Sequence, residues 1–341
     1  MKRIALIGLG MASGPHAKSL LDLKDRVKVA ACYSPTPARR EAFSSAWGLP
    51  VTGDLDAVFA DPSIDAVMVL TPPNSHLELV ERAAAAGKHV LLEKPLDISM
   101  DRAERLVAAA EDAGVKLGVV LQHRFRPVST ALAKLIADGR LGQLVSASAK
   151  LANWRPQSYY DQPGRGTKAR DGGGVLLTQG IHTLDLLISL AGLPAEVSAF
   201  AATTPVHRME TEDLAVGVVR YGNGALGTIH ATTTAYPGLP DSIELIGTKG
   251  TARIEGTKLF VAFHDGAELQ HDDGAVGGGV GADPMAFPHH HHRAVLADFL
   301  DAIGSGDPAR QPKVSGREAL KVHRLIDALL RAAETGRREP V

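Results

Sequence analysis

Apolar positions in the first third of the chain fall in short runs separated by stretches with helical spacing. The runs Arg3–Ile7, Val27–Cys32, Ala66–Leu70, His89–Leu92 and Lys116–Leu121 are nearly continuous in apolar residues, as strands covered on both faces are. Between them, amphipathic spacing predicts helices near 15–24, 37–46, 76–86 and 99–113. This alternation builds βαβ units and a parallel sheet. Two helix starts carry their own chemistry: Ser75-His76-Leu77-Glu78 fits a capping box, and Thr36-Pro37 offers an N-cap followed by proline in the first helical position.

The pattern changes after a short helix near 128–138. Strand-like segments follow at 143–152, 195–203, 213–221, 224–234, 242–247, 251–255 and 258–263, with turn signals at Gly222-Asn223-Gly224 and Gly247-Thr248-Lys249-Gly250. A mostly antiparallel sheet is expected. Ser146, Ser148, Thr228, His230, Thr232 and Thr234 occupy alternate strand positions, giving a flat face that suits either an oligomer contact or solvent. A glycine-rich loop is expected at 272–281, and helices near 291–303 and 316–334 close the chain. The fold class is α/β in two domains: residues 1–123 bind a dinucleotide, and residues 124–341 carry a large, mostly antiparallel open sheet for substrate and oligomerisation.

Bulk properties narrow the classes of function. A chain of 341 residues with 45% hydrophobic and 22% charged residues has the composition of a globular protein of about two domains. The formal net charge is −1 and no long basic run occurs, which argues against nucleic acid or an anionic membrane as partner. No apolar run approaches the ~20 residues of a membrane span. Met1-Lys2-Arg3 leads directly into a short apolar run and a glycine turn, so it reads as a first strand, and a cytoplasmic location is expected. Cys32 is the single cysteine, which excludes an internal disulfide and a thiolate metal cluster. Its apolar strand makes it a core residue.

Candidate chemistry begins at Gly8-Leu9-Gly10-Met11-Ala12-Ser13, between the first strand and the first helix. This is a dinucleotide fingerprint with serine in the third glycine place. Its first glycine permits the turn, its second lets backbone approach a pyrophosphate, and the helix N-terminus faces the phosphates. At the end of the second strand, where an acidic residue would read the NAD ribose, the chain has Tyr33-Ser34-Pro35-Thr36, with Arg39 and Arg40 one turn on. The missing carboxylate and the two guanidinium groups tilt the cofactor from NAD towards NADP, although both arginines could simply be solvated. Lys94, in Glu93-Lys94-Pro95, falls at the carboxyl end of a predicted strand, where open α/β sheets bind ligands.

Asp171-Gly172-Gly173-Gly174 opens a segment expected to be helical from about Gly180. On one continuous helix, Thr178, His182, Asp185 and Ser189 would share a stripe of roughly 60° on an otherwise aliphatic surface. Such a stripe faces a cavity or buried partners. Histidine suits proton transfer near neutrality, and lysine suits a developing alkoxide. The tract His289-His290-His291-His292 lacks an evident acidic partner, and no metal is assigned to it.

Together these pieces resemble the glucose–fructose oxidoreductase / inositol dehydrogenase (Gfo/Idh/MocA) family. The likeness spans the chain through the N-terminal glycine turn, Thr71-Pro72-Pro73-Asn74-Ser75-His76, Ala86-Gly87-Lys88-His89-Val90, Glu93-Lys94-Pro95, and Gly172-Gly173-Gly174 through His182 and Asp185. It implies a Rossmann domain, a dimer or tetramer formed through the open sheet, and oxidation or reduction at a carbon of a sugar, inositol or related polyol. It implies catalytic roles for Lys94 and His182. Thr178 stands where the family often has aspartate, leaving Asp185 as the nearest aligned carboxylate. Thr71, Pro72, Asn74, His76, Glu93 and Gln122 match cofactor-lining positions. Arg124, Trp154, Arg155, Tyr159, Tyr160 and Arg165 fall where the family builds its substrate pocket. Two other classes remain: a nucleotide or sugar sensor, which has no need of Lys94 with His182, and an NAD-dependent, redox-assisted glycoside hydrolase, which would release sugar without net cofactor turnover.

Overall fold

The computed structural model describes residues 1–274, 281 and 287–341. The chain divides into two compact units, Met1–Gln122 with His289–Leu320, and His123–Pro288 with Lys321–Val341.

The first unit begins with β1 (Lys2–Ile7), α1 (Ser13–Asp22), β2 (Val27–Tyr33), α2 (Pro37–Trp47), β3 (Val51–Thr52), α3 (Leu55–Ala60) and β4 (Ala66–Val69). It continues with α4 (His76–Ala85), β5 (His89–Leu92), α5 (Met100–Asp112) and β6 (Leu117–Val119). The strands pair in parallel in the order β3-β2-β1-β4-β5-β6. The order reverses between β1 and β4, which places the ligand crevice of such a sheet beyond the carboxyl end of β1. β4 is buried along its whole length, and β1 from Ile4 to Ile7, as the two-sided apolar runs require. β3 and α3 were not foreseen. A two-residue strand leaves no periodic trace, and α3 starts on a local cap, Asp54 accepting the Ala57 N–H at 2.9 Å.

The expected capping box at Ser75 does not form. Pro73–Ser75 makes a 3-10 turn ahead of α4, and Ser75 sits at φ −109°, ψ 0°, outside the extended conformation an N-cap uses. Its hydroxyl donates to Thr71 Oγ1 and the Pro72 carbonyl instead. Asp97 takes the cap's place by accepting the Leu77 N–H at 2.9 Å, while Glu78 pairs with Arg102.

The second unit starts with α6 (Pro127–Ala137) and β7 (Leu144–Trp154). Four helical segments follow: α7 (Gln157–Tyr160), α8 (Lys168–Asp171), α9 (Val175–Thr178) and α10 (Ile181–Ala191). Then come β8 (Glu196–Ala202), β9 (Leu214–Arg220), β10 (Leu226–Thr232), β11 (Thr234–Gly247), β12 (Gly250–Glu255), β13 (Lys258–Phe263) and β14 (Glu268–Asp272). The helices α11 (His290–Gly304) and α12 (Gly316–Thr335) and a last strand, β15 (Glu339–Pro340), complete the chain. Among the described residues the sheet runs β14-β13-β12-β11-β7-β10-β9-β8-β15. β7 and β10 pair in parallel and every other neighbouring pair is antiparallel. One face carries Ala147, Ala149, Val197, Ala215, Val219 and Ile229 into the core, where α10 lies on β7. The other face exposes Phe200 at 82%, and Val216, Val218 and Leu226 are exposed on it too. The glycine-rich loop expected at 272–281 falls mostly outside the described residues.

A single division near residue 123 would leave His289–Leu320 with the second domain, yet that stretch belongs to the first unit. His289 and Arg293 both reach Asp22 at the end of α1, at 2.8 and 3.0 Å. Lys116 donates to the carbonyls of Ala302, Asp307 and Arg310, and the Val119 N–H reaches the Val314 carbonyl at 2.9 Å. The period of residues 291–303 announces a helix with one buried face, but it does not say which core that face completes. Among the described residues, no single helix is long and apolar enough to cross a membrane.

Candidate active site

At the carboxyl end of β1, Gly8 has φ +106°, and a Cβ there would come within 2.9 Å of the Leu70 carbonyl carbon. Only glycine fits. A Cβ at Gly10 would meet nothing within 4 Å, so the turn is open on that side. Ser13 fills the third glycine position by donating its hydroxyl to the Gly10 carbonyl at 2.7 Å. The open turn ahead of the N–H groups of a ten-residue helix, α1, fits a pyrophosphate. Met11 is half exposed and Ala12 is the N-cap residue, so both lie on this turn. At the ribose end Ser34 is buried and its hydroxyl accepts the Thr36 N–H. Arg40 folds back, donating to the Ser34 carbonyl at 2.6 Å, with its guanidinium over Gly53. Arg39 remains exposed. Cys32 is buried, which pushes its thiol up to about 12 and leaves it inert.

Thr71, Pro72 and Asn74 lie on the loop after β4, partly or fully exposed. His76 differs from the expectation of a lining residue. It is 0% exposed, with Nδ1 3.0 Å from the Pro95 carbonyl and Nε2 2.9 Å from that of Thr71. It ties the β4 loop to the Glu93-Lys94-Pro95 loop. Gln122 contributes a buried Oε1 without a hydrogen-bond partner among the described residues.

Glu93 is buried beside His16, whose Nε2 lies 2.7 Å from Oε1. Its Oε2 accepts the Lys94 backbone N–H at 3.1 Å. Despite burial, the donor His16 and the nearby His292 and Lys94 hold the carboxyl down at about 2. Burial itself pushes His292 down to about 3, so its imidazole stays neutral. Two imidazoles and a carboxylate with donor atoms within 4.8 Å form a donor set that transition metals accept. The 2.7 Å separation is nonetheless that of a hydrogen bond, since tetrahedral ligands at ~2.05 Å from zinc stand about 3.3 Å apart. Both depressed values act in one direction. From 6.5 downwards the unfolded chain protonates His292 while the folded chain does not, and below 4.5 the same holds for Glu93. The first unit should therefore lose stability as pH falls from 6.5 towards 3, and His292→Leu should flatten the upper part of that curve in pH-dependent urea unfolding. An unchanged curve would contradict a neutral, buried His292.

In the second unit the Gly-Gly-Gly segment is shaped by a residue the sequence did not point to. Glu212 accepts the N–H groups of Gly174 and Leu176 at 3.0 and 3.1 Å, and its carbonyl accepts that of Val175 at 2.8 Å. A Cβ on Gly174 would overlap the Glu212 carbonyl oxygen. The expected four-residue stripe is not continuous, because the helix breaks at Gln179-Gly180 and the segments on either side meet at 50°. Thr178 belongs to the short α9 and donates to the Gly174 carbonyl at 2.6 Å. Ser189 is exposed. His182 is half-buried on the first turn of α10, with the ring of His123 5.0 Å from its own. His123 Nε2 in turn meets the Arg126 guanidinium. Asp185 is 0% exposed, and Arg124, itself 7% exposed, binds both its oxygens at 2.8 and 2.6 Å. Asp185 and Arg124, read from the sequence as a catalytic carboxylate and a substrate cation, therefore hold each other. Next to them on α10, Thr183 donates to the half-buried Asp241 at 2.6 Å.

A second cluster in this unit gathers the expected substrate residues. Arg155 lies 5.8 Å and Arg165 4.9 Å from the centre of the Tyr159 ring, and Tyr159 packs edge-on to Tyr160 at 5.1 Å. The Tyr160 hydroxyl donates to Thr233, and burial pushes the phenol up to about 12. Trp154 and Tyr160 both flank His207, which is bound to buried Asp213 at 2.8 Å. His207, Asp213, Glu212 and Asp241 sit on strands or turns where nothing in the local pattern marks them.

An open glycine turn at a helix N-terminus, a parallel sheet of order 3-2-1-4-5-6 and a lysine at a strand's carboxyl end define a nicotinamide-dependent oxidoreductase of the Rossmann class. The family described as the oxidoreductase family with an NAD-binding Rossmann fold matches residues 2–121, and the GFO/IDH/MocA C-terminal domain matches residues 129–253. The chain belongs to this Gfo/Idh/MocA family. It is 28% identical to the inositol 2-dehydrogenase of Rhizobium meliloti over 338 residues, covering 97% of this chain and 96% of that protein. It is 30% identical to the NADP(+)-dependent D-xylose 1-dehydrogenase 2 of Haloferax volcanii, covering 91% and 90%. The WlbA dehydrogenase of Bordetella pertussis, solved with NADH and UDP-GlcNAcA, superposes with a TM-score of 0.87 at 29% identity, covering 100% of this chain and 97% of that one.

Proposed function

We propose that this oxidoreductase interconverts a CH–OH group and a ketone on a sugar, inositol or related polyol with NAD(P). The observation that carries the reading is Lys94 at the carboxyl end of β5, in a sheet whose first turn is open for a pyrophosphate. Gly8, Gly10, Met11, Ala12, Ser13, Ser34, Thr36, Arg39, Thr71, Pro72, Asn74, Glu93, Lys94 and Gln122 hold the cofactor. When bound, the nicotinamide takes up or gives the hydride. The Lys94 ammonium holds the substrate oxygen as it gains negative charge, and the His182 imidazole takes the hydroxyl proton. His76 acts behind the cofactor surface by fixing its loops. Asp185 acts through Arg124 in fixing α10. Trp154, Arg155, Tyr159, Tyr160, Arg165 and Thr178 shape the substrate side. The names of the inositol and xylose relatives support the polyol class.

NADP is favoured, because Arg39 is exposed where no carboxylate stands. Arg39→Ala should raise KM for NADP about tenfold and leave KM for NAD within about twofold, as the loss of one phosphate contact requires. The apolar outer face of the large sheet, with Phe200 exposed at 82%, supports a homodimer or homotetramer built through it. The test of the reading is reduced-cofactor formation by purified protein, with NAD and NADP in parallel, across inositols, aldoses and anhydrosugars. Turnover with one cofactor supports it. Silence across the panel with nucleotide bound favours a sensor, or a hydrolase in which the cofactor is regenerated in each cycle.

A further inference from the structure

His16, Glu93 and His292 lie together in the interior of the first unit, and the reaction as described uses neither histidine. His16 stands on α1 one turn beyond Ser13, Glu93 directly precedes Lys94, and His292 comes from α11, nearly two hundred positions later in the sequence. Their exposures are 1%, 9% and 5%. A carboxylate removed from water needs donors for its oxygens. Here His16 supplies one at 2.7 Å and the Lys94 peptide N–H another at 3.1 Å. The His292 ring meets the His16 ring edge-on at 5.3 Å, and α11 is pinned to α1 through Asp22 by His289 and Arg293.

We infer that His16 and His292 are positioning residues for Lys94. His16 fixes one oxygen of Glu93, so the other stays aimed at the Lys94 peptide. His292 closes the space behind His16 and keeps its ring from turning away. The groups facing Glu93 are His16, His292 and Lys94, and His291 also faces His292. Aim matters because an ammonium displaced by about 1 Å from a reacting oxygen costs up to about a hundredfold in rate. The histidine tract thus has two members at work from one helix face: His289 anchors α11, and His292 backs His16.

This inference rests on the role proposed for Lys94, and its test separates the two. In the full-length protein, His16→Ala should lower kcat about tenfold or more, with KM for the nucleotide within about twofold. His16→Gln, whose amide N–H can reach the same carboxylate oxygen, should recover most of that loss. His292→Ala should lower kcat in the same way, and His292→Phe, which refills the space, should recover most of it. The same variants are read without turnover by NMR titration of ¹³C-dimethylated lysines, with the Lys94 signal identified by its loss in Lys94→Arg. The Lys94 midpoint should move in His16→Ala and return in His16→Gln. If the panel shows no turnover by the unsubstituted protein, the proposed function fails, and the titration still decides the inference. Equal losses of Tm in all variants, with kcat and the Lys94 midpoint unmoved, would overturn it by showing a packing role only. A tetrahedral cobalt(II) absorption band that disappears in His292→Ala would overturn it too, because the three side chains would then be metal ligands.

Discussion

Lys94→Ala lowers kcat by about 10²–10³-fold, the loss expected when one preorganised donor to a developing oxyanion is removed. Nucleotide binding should be largely kept, because the glycine turn and the N-terminus of α1, which face the pyrophosphate, are built without the Lys94 side chain. His182→Ala lowers kcat by about 10²–10⁴-fold through loss of the proposed general base. The two effects should not add fully when combined, since both residues are proposed to serve one transition state. Binding titrations with NADH and NADPH, beside initial rates, check both points. Unaltered turnover in Lys94→Ala removes the lysine from the chemistry.

Arg124→Ala destabilises the second unit by about 3–5 kcal/mol, because it leaves Asp185 charged in the interior. The pair is well shielded, with side-chain exposures of 7% and 0%, so solvent screening does little to reduce this cost. Asp185→Ala should cost a similar amount for the converse reason. Replacing both with apolar residues of matching size should restore most of the stability, since it strands neither charge. Trp154 lies in the second unit and Trp47 in the first, so fluorescence urea melts of single-tryptophan variants locate the loss. Asp185 is fully buried and bound on both oxygens, so it fits a structural post better than a proton relay. If Arg124→Ala melts like the parent protein, the pair is not the anchor its geometry describes.

What was legible in the sequence follows from how locally each feature is determined. The strands of the first unit announced themselves because two-sided burial writes an unbroken apolar run, as in Ala66–Val69. The glycine turn and Lys94 were legible because the chemistry there needs particular residue types at fixed offsets. Partners far apart along the chain were not legible. Nothing near Gly174 signals that Glu212 will occupy the space beside it, nor does anything near Asp185 single out Arg124. The stripe through Thr178 and His182 was overdrawn for a similar reason. Angular bookkeeping assumes one continuous helix, and Gly180 ends that continuity. The capping box at Ser75 was a fair local reading overtaken by Asp97, which accepts from Leu77 twenty positions before it. Likewise the histidine tract lacked an acidic partner only while its sequence neighbours were counted. Folding brings Asp22 to His289 and Glu93 to the side of His292.

The return of His289–Leu320 to the first unit also sets an order of events on the ribosome. The strands and helices up to residue 122 emerge first, yet the helix that covers α1 and the backbone that reaches Lys116 and Val119 are made only after residues 123–288 of the second unit. A nascent nucleotide domain therefore waits, with the side of α1 that carries His16 uncovered, while its own completing piece is still being translated. Residues 123–288, the larger part of the second unit, are in effect an insertion. A circular permutant that starts at the helix 290–304 and joins the old ends would deliver that piece early, and it should shorten the interval in which the uncovered face can recruit a chaperone.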